Sequence, residues 1–254
     1  MKVKSTIRKI VTLFLIGVIC VCGYKIYNKL HEYEKADNIY ENLRKEKENN
    51  LNSRKNGISK DSSKNTNISE ENTIDLSSLN KDFVCWINIE NTNIDYPVVQ
   101  SDDNSYYLHR DIYGNYLYSG TTFLDYRDDY KDSKNLIIYG HNMKNTTMFS
   151  ELEKFKKKDF FNSNPTITLT DKNKERYYSA FAVLLVDKNF GYTIPDFKND
   201  DEYSKFLNKV CNESIFKVKN KPMVSDQIIT LSTCSYEFKN ARTVILCKEI
   251  KPIN

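Results

Sequence analysis

The sequence predicts a mainly β protein: a closed or nearly closed β-barrel with a few flanking helices, preceded by an N-terminal membrane-spanning helix and a helical stem. Three observations carry this. From Ile74 onward, short runs rich in β-branched and aromatic residues alternate with turn signals. Only two stretches between those runs have helical periodicity, which argues against a parallel α/β sheet. The one long apolar run stands apart, at the N-terminus.

The strand-like runs are FVCWINI (83–89), IDYPVVQ (94–100), TTFLDY (121–126), NLIIYGH (135–141), TITLT (166–170), YYSAFAVLLV (177–186), QIITLSTC (227–234) and ARTVILCKEI (241–250). The helical candidates are TMFSELEKFK (147–156) and DDEYSKFLNKVCNES (200–214). In the latter, Tyr203, Phe206, Leu207 and Val210 share one face.

Ile10 to Tyr24 is apolar throughout, and Arg8, Lys9 and Lys25 extend it to a spanning length of about 20 residues. Lys2, Lys4, Arg8 and Lys9 precede the run, so the positive-inside rule leaves the N-terminus in the cytoplasm and the rest of the chain outside. A cleaved signal peptide is the rival, but a small-x-small cleavage site is missing, and valine or isoleucine precedes Cys20 and Cys22 where a lipid-attachment motif needs otherwise. An uncleaved signal anchor results. Tyr33 to Asn50 reads as a charged helix with one modest stripe (Tyr33, Ala36, Ile39, Tyr40, Leu43), followed to about Asn72 by a polar Ser/Asn/Lys-rich tether. The expected organisation is 1–27 cytoplasmic tail and anchor, 28–72 helical stem and flexible linker, and 73–254 the catalytic barrel.

The 254 residues carry 38 Lys and Arg against 34 Asp and Glu, interleaved through most of the chain, so no basic stripe for nucleic acid emerges. Six scattered cysteines do not make a disulfide framework, and no C-x-x-C lies near a histidine pair as structural zinc requires. Cys85 and Cys247 sit in apolar strands and read as small buried hydrophobes. Asp102–Asp103 and Asp128–Asp129 lack calcium-ligand spacing and read as exposed turn residues. Neither a metal nor a cofactor is expected.

Alternation along IITLSTC places Thr230, Ser232 and Cys234 on the more polar face. If this strand and the next form a hairpin, Arg242 lies close to Cys234, where a cation stabilises negative charge on sulfur and on a carbonyl oxygen under attack. The pair fits equally a buried cysteine beside a surface arginine. A thiol nucleophile needs a proton acceptor, and three histidines are on offer. His31 belongs to the membrane interface and His109, flanked by charge, to the surface. His141 follows an apolar strand and Gly140, at an exit where a side chain faces a cleft.

TLSTC followed by an arginine on the next strand, with YGHNM upstream, resembles the sortase family of Gram-positive surface transpeptidases. DYPVVQSDDNSYYLHRD, GTTFLDYRDD, NLIIYGHNMKNTTMFSELEKF and DEYSKFLNKV resemble class B sortases in order and spacing, from about Ile74 to the C-terminus. The resemblance implies that Cys234 attacks a Thr–Gly or Thr–Asn type bond in the C-terminal sorting signal of a secreted protein, forming a thioacyl enzyme. It implies that His141 serves as acid and base, that Arg242 holds the oxyanion, and that an amine of cell-wall peptidoglycan or its precursor resolves the intermediate. By the same resemblance Asn104, Leu108, Tyr139, Tyr192 and Ser232 line the peptide groove. Ser235 and Thr193 depart from the acidic and apolar residues expected beside Cys234 and Tyr192. A hydrolytic cysteine endopeptidase on the same scaffold, and a non-catalytic tethered binding module, are the alternatives.

Overall fold

In the computed structural model, residues 2–58 and 73–251 are described. The linker expected up to residue 72 therefore lies partly outside the described residues. Helix α1 spans Lys2–Ile58, into the first part of the stretch that composition reads as a tether. Two compact units result, Met1–Asn42 and Leu43–Asn254. In the first, the large apolar side chains of Leu13, Phe14, Leu15, Ile16, Val18 and Ile19 are exposed around the helix. Of the described helices, this one alone is long and apolar enough to cross a membrane.

The second unit is the barrel. Its strands are β1 (Phe83–Ile89), β2 (Asp95–Val99), β3 (Thr122–Leu124), β4 (Asn135–Tyr139), β5 (Ile167–Thr170), β6 (Glu175–Asp187), β7 (Ile228–Cys234) and β8 (Ala241–Ile250). They close in the order β1-β2-β3-β4-β7-β8-β6-β5, with β5 returning to pair with β1. Each of the eight expected runs holds one strand, and closure leaves no sheet edge exposed. Two of the pairings, β2–β3 and β4–β7, are parallel and need long connections.

The β6–β7 connection carries α3 (Asp200–Glu213). Asn199 caps it by accepting the Glu202 amide at 2.9 Å, and Asp200, Asp201 and Glu202 fill its first turn, where the helix dipole favours negative charge. Its expected face is buried: Tyr203, Phe206, Leu207 and Val210 pack in one cluster with Ile228, Val244 and Leu246. Ile228 therefore points toward α3, and alternation sends Thr230, Ser232 and Cys234 the same way.

The run 147–156 departs from expectation. It forms a 3₁₀ helix, Phe149–Lys156, and a short α2 (Lys158–Ser163) follows. Met148, at φ 56°, leads into it without a side-chain cap, and the Phe149 amide bonds back to the His141 carbonyl at 2.9 Å. That tertiary bond fixes the start of the segment.

Candidate active site

Three adjacent strands converge on one groove of about 290 Å³. Cys234 is the last residue of β7, and its antiparallel partner across the ladder is Arg242 of β8. On the other side β4 runs parallel to β7, Tyr139 opposite Ser232, and the Gly140 amide donates to the Ser232 carbonyl at 3.2 Å. His141 follows directly. Directly paired residues present side chains on one face, so the hairpin read from the sequence does set Arg242 beside Cys234. The ladder order β4-β7-β8 puts the cysteine strand between the histidine and arginine strands.

Small side chains and hydrogen bonds hold this corner. A Cβ on Gly140 would sit 2.6 Å from the ring of buried Phe149, so only glycine lets that ring close under the β4 exit. The Thr233 hydroxyl donates to the Gly140 carbonyl at 2.7 Å, and Asn142 Nδ2 donates to the Cys234 carbonyl at 2.8 Å. Asn142, unremarked in the sequence, thus bridges the histidine loop to the cysteine backbone.

His141 Nε2 lies 2.8 Å from the Leu108 carbonyl. A carbonyl only accepts, so this nitrogen carries the hydrogen and Nδ1 keeps the lone pair when the ring is neutral. Burial is the main cause that holds the His141 imidazole below its ordinary value. His109 pushes the same way and the Leu108 carbonyl opposes. Among the other cysteines, burial raises the Cys85 thiol to about 12 and pushes Cys247 up as well. Both are inert core residues, as expected. Cys234 is half-exposed at the groove.

The remaining expected groove residues also line it: Asn104, Leu108, Tyr139, Tyr192 and Ser232. Leu108 lies in a 3₁₀ turn, Tyr106–His109, that Asp103 opens by accepting the Ser105 and Tyr106 amides at 2.6 and 2.8 Å. Gly120, at φ 59°, lies against this turn, where a Cβ would run into the Leu108 carbonyl. Tyr192 and Ser232 share a hydroxyl–hydroxyl bond of 2.8 Å. Phe123 and Lys188 line the groove too, and sequence reasoning missed both.

It also missed the residue that organises the walls. Asp125, its side chain wholly buried, accepts from Tyr139 Oη (2.8 Å), Asn104 Nδ2 (3.0 Å) and both Nε and a terminal nitrogen of Arg127 (2.8 Å each). Burial opposes ionisation here, but hydrogen bonds from Arg127, Tyr139 and Asn104 prevail and hold the carboxyl below its ordinary range. Arg127 donates as well to the Thr193 carbonyl at 3.0 Å, anchoring the β6–β7 connection.

Asp128 corrects an expectation. It is buried, not an exposed turn residue: Oδ2 accepts the Ile137 amide at 2.7 Å, and Oδ1 has no partner among the described residues. Burial raises its carboxyl to about 7. Ser235, beside Cys234, bonds Glu237, which in turn pairs with Lys156. An acid stands near this corner even though position 235 lacks one.

Among the described residues no group of three or more His, Cys, Asp or Glu side chains is placed to hold a metal ion. A thiol that shares one groove with an imidazole and is paired with a guanidinium suits nucleophilic attack on a carbonyl.

A family profile for the sortase domain matches residues 87–250. The chain is 37% identical over 252 residues to sortase B of Listeria monocytogenes, covering 96% of this chain and 97% of that relative. It is 30% identical over 245 residues to sortase B of Staphylococcus aureus, covering 95% and 96%. Its fold is similar to the X-ray structure of Clostridium perfringens sortase B, with a TM-score of 0.67 and 38% identity over 69% of this chain and 98% of that one. A Staphylococcus aureus sortase B–substrate complex is similar at a TM-score of 0.65 and 32% identity, over 69% and 83%.

Proposed function

The chain belongs to the sortase family and is a cysteine transpeptidase of the sortase B type, and from that premise we propose that Cys234, His141 and Arg242 carry out the transfer. The observation that supports this most is their placement around one groove, Cys234 and Arg242 paired on β7 and β8 and His141 just past the end of β4, with the cysteine strand in the middle. Cys234 attacks the carbonyl of a Thr–Gly or Thr–Asn type bond in a C-terminal sorting signal. Arg242 stabilises the oxyanion. His141 takes the thiol proton and gives it to the departing amine, leaving a thioacyl enzyme. An amine from peptidoglycan or its lipid-linked precursor then attacks the thioester, loses its proton to His141 and releases the thiol.

Asn104, Leu108, Tyr139, Tyr192 and Ser232 line the signal peptide's path, with apolar contact from Leu108 and polar contact from the rest. Residues 1–27 form the cytoplasmic tail and single-pass anchor, 28–72 the stem and linker, and 73–254 an extracellular catalytic domain acting at the Gram-positive cell surface. The basic residues before the apolar run support this orientation.

The test uses the full chain in detergent with peptides containing Thr–Gly or Thr–Asn bonds, followed by intact-protein mass spectrometry. A thioacyl adduct on the native chain, absent from Cys234→Ala and passed to an added amine, is the expected result. Cleavage without transfer to any amine supports a hydrolytic endopeptidase. No adduct on any peptide, with Cys234→Ala still supporting normal surface function in cells, supports the tethered binding module.

A further inference from the structure

The exposed His109 stacks on the histidine at the centre of the groove. The ring centroids of His109 and His141 are 5.4 Å apart, and the planes differ by only 22°. His109 ends the same 3₁₀ turn whose Leu108 carbonyl accepts from His141 Nε2. Two consecutive residues thus meet one imidazole, Leu108 at its edge and His109 on its face. His109 is itself held. Its Nδ1 lies 3.1 Å from the Tyr118 carbonyl and must donate, and the rings of Tyr118 and Tyr116 lie 6.1 and 6.4 Å away.

We propose that His109 is a positioning residue for the transpeptidation: its imidazole fixes the ring plane of His141 and opposes the charge that ring takes up during transfer. The inference rests on the reading of His141 as the acid–base group. Two orthogonal contacts are needed to fix a ring. The bond to Leu108 sets which nitrogen is protonated but lets the ring pivot about the N–H···O line, and a stacked face removes that pivot.

The electrostatic surroundings point the same way. Around His109 stand Arg110, whose guanidinium lies over the Tyr106 ring at 4.4 Å, and the phenols of Tyr116 and Tyr118. Cys234, Arg242 and Lys188 line the same groove as His141, and among the described residues no carboxylate lines it. The buried Asp125 is taken up by Arg127, Tyr139 and Asn104, and the buried Asp111, two residues after His109, accepts the Tyr113 and Asn115 amides. An imidazolium at position 141 therefore has a second imidazole on its face and shares its groove with two cations, Lys188 and Arg242. It releases its proton readily, which suits a group that must protonate a leaving amine. The proton count of the reaction is unchanged: His141 accepts at Nδ1 from the thiol and donates from Nδ1 to the amine, while His109 keeps its Nδ1 hydrogen on the Tyr118 carbonyl.

The test compares native chain, His109→Ala and His109→Phe, each full-length in detergent. It follows kcat/KM for thioacyl formation from pH 5 to 9 and the ¹⁵N-histidine titration of His141. With the face bared and the neighbouring imidazole gone, His109→Ala moves the His141 midpoint and the acid limb of the profile upward together. It also lowers kcat severalfold with KM unchanged. His109→Phe restores a stacked face without the second imidazole, so it recovers kcat but keeps an upward shift. Should Ala at this position fail to fold, the Phe variant alone reads the shift. A native midpoint and native profile in the folded variants overturn the proposal. His141→Ala, run beside them, separates the two claims: if it retains thioacylation the acid–base reading fails, whatever His109 does.

Discussion

The two sides of the groove are built by different means. On one side Cys234 and Arg242 ride on the β7-β8 ladder, with His141 just past the end of β4, where backbone pairing sets their neighbours. On the other, Asn104 and Leu108 lie in or beside a 3₁₀ turn and Tyr192 and Thr193 in the β6–β7 connection. There, side-chain bonds to Asp125 and Arg127 do the holding. The ladder side gains rigidity from many small terms, none decisive alone. The loop side concentrates its order in one carboxylate. Damage to the first should therefore show as lost chemistry, and damage to the second as lost binding.

The sharpest way to test that contrast is Arg242→Ala. It leaves the backbone ladder intact and removes the cation beside the sulfur. We expect thioacylation kcat/KM to fall by about 10²–10³ with little change in KM, as for loss of one oxyanion donor. Single-turnover kinetics read this directly, and a change confined to KM would break the contrast. On the loop side, Asp125→Asn keeps the shape but weakens the grip on Arg127, Tyr139 and Asn104. KM should rise about tenfold, equivalent to about 1.4 kcal/mol, with kcat nearly kept. A pure kcat loss in steady-state assays would contradict the division.

Asp128 concerns stability alone. Its folded-state carboxyl lies near 7, above the ordinary value near 4. The folded chain thus binds that proton more tightly, so the stability it contributes is complete below about pH 4 and is lost as pH rises through about 7. Asp128→Asn should stabilise the barrel by about 1–3 kcal/mol at pH 8 relative to its effect at pH 5. Chemical denaturation at both pH values measures this, and equal effects at the two would refute it. The smallest effect is expected from Lys188→Glu at the exposed rim. A reversed charge there should change KM about threefold for charged peptides, in opposite directions for acidic and basic ones, and hardly at all for neutral ones.

The same contrast explains what the sequence made legible. All eight strands and the buried face of α3 follow from local periodicity, and Cys234 and Arg242 follow from the hairpin. The groove residues carried by family resemblance all meet at one place. Asp125 escaped notice, and Asp128 was read as an exposed turn residue, because their burial comes from partners distant in the chain, such as Tyr139 and Ile137, which no local pattern announces. His109 was assigned to the surface, where it does lie, but its stacking on His141 needs two loops to meet. The run 147–156 had helical periodicity and became a 3₁₀ segment because the Phe149 amide is committed to the His141 carbonyl.

The bond from Arg127 to Thr193 ends on a main-chain carbonyl. Any amino acid at position 193 supplies that acceptor. Mutation can therefore resculpt this part of the cleft while the loop stays moored, whereas Asn104 and Tyr139 each supply a side chain to the shared carboxylate and are harder to exchange. Selectivity can drift at 193 across generations without unpicking the scaffold that catalysis depends on.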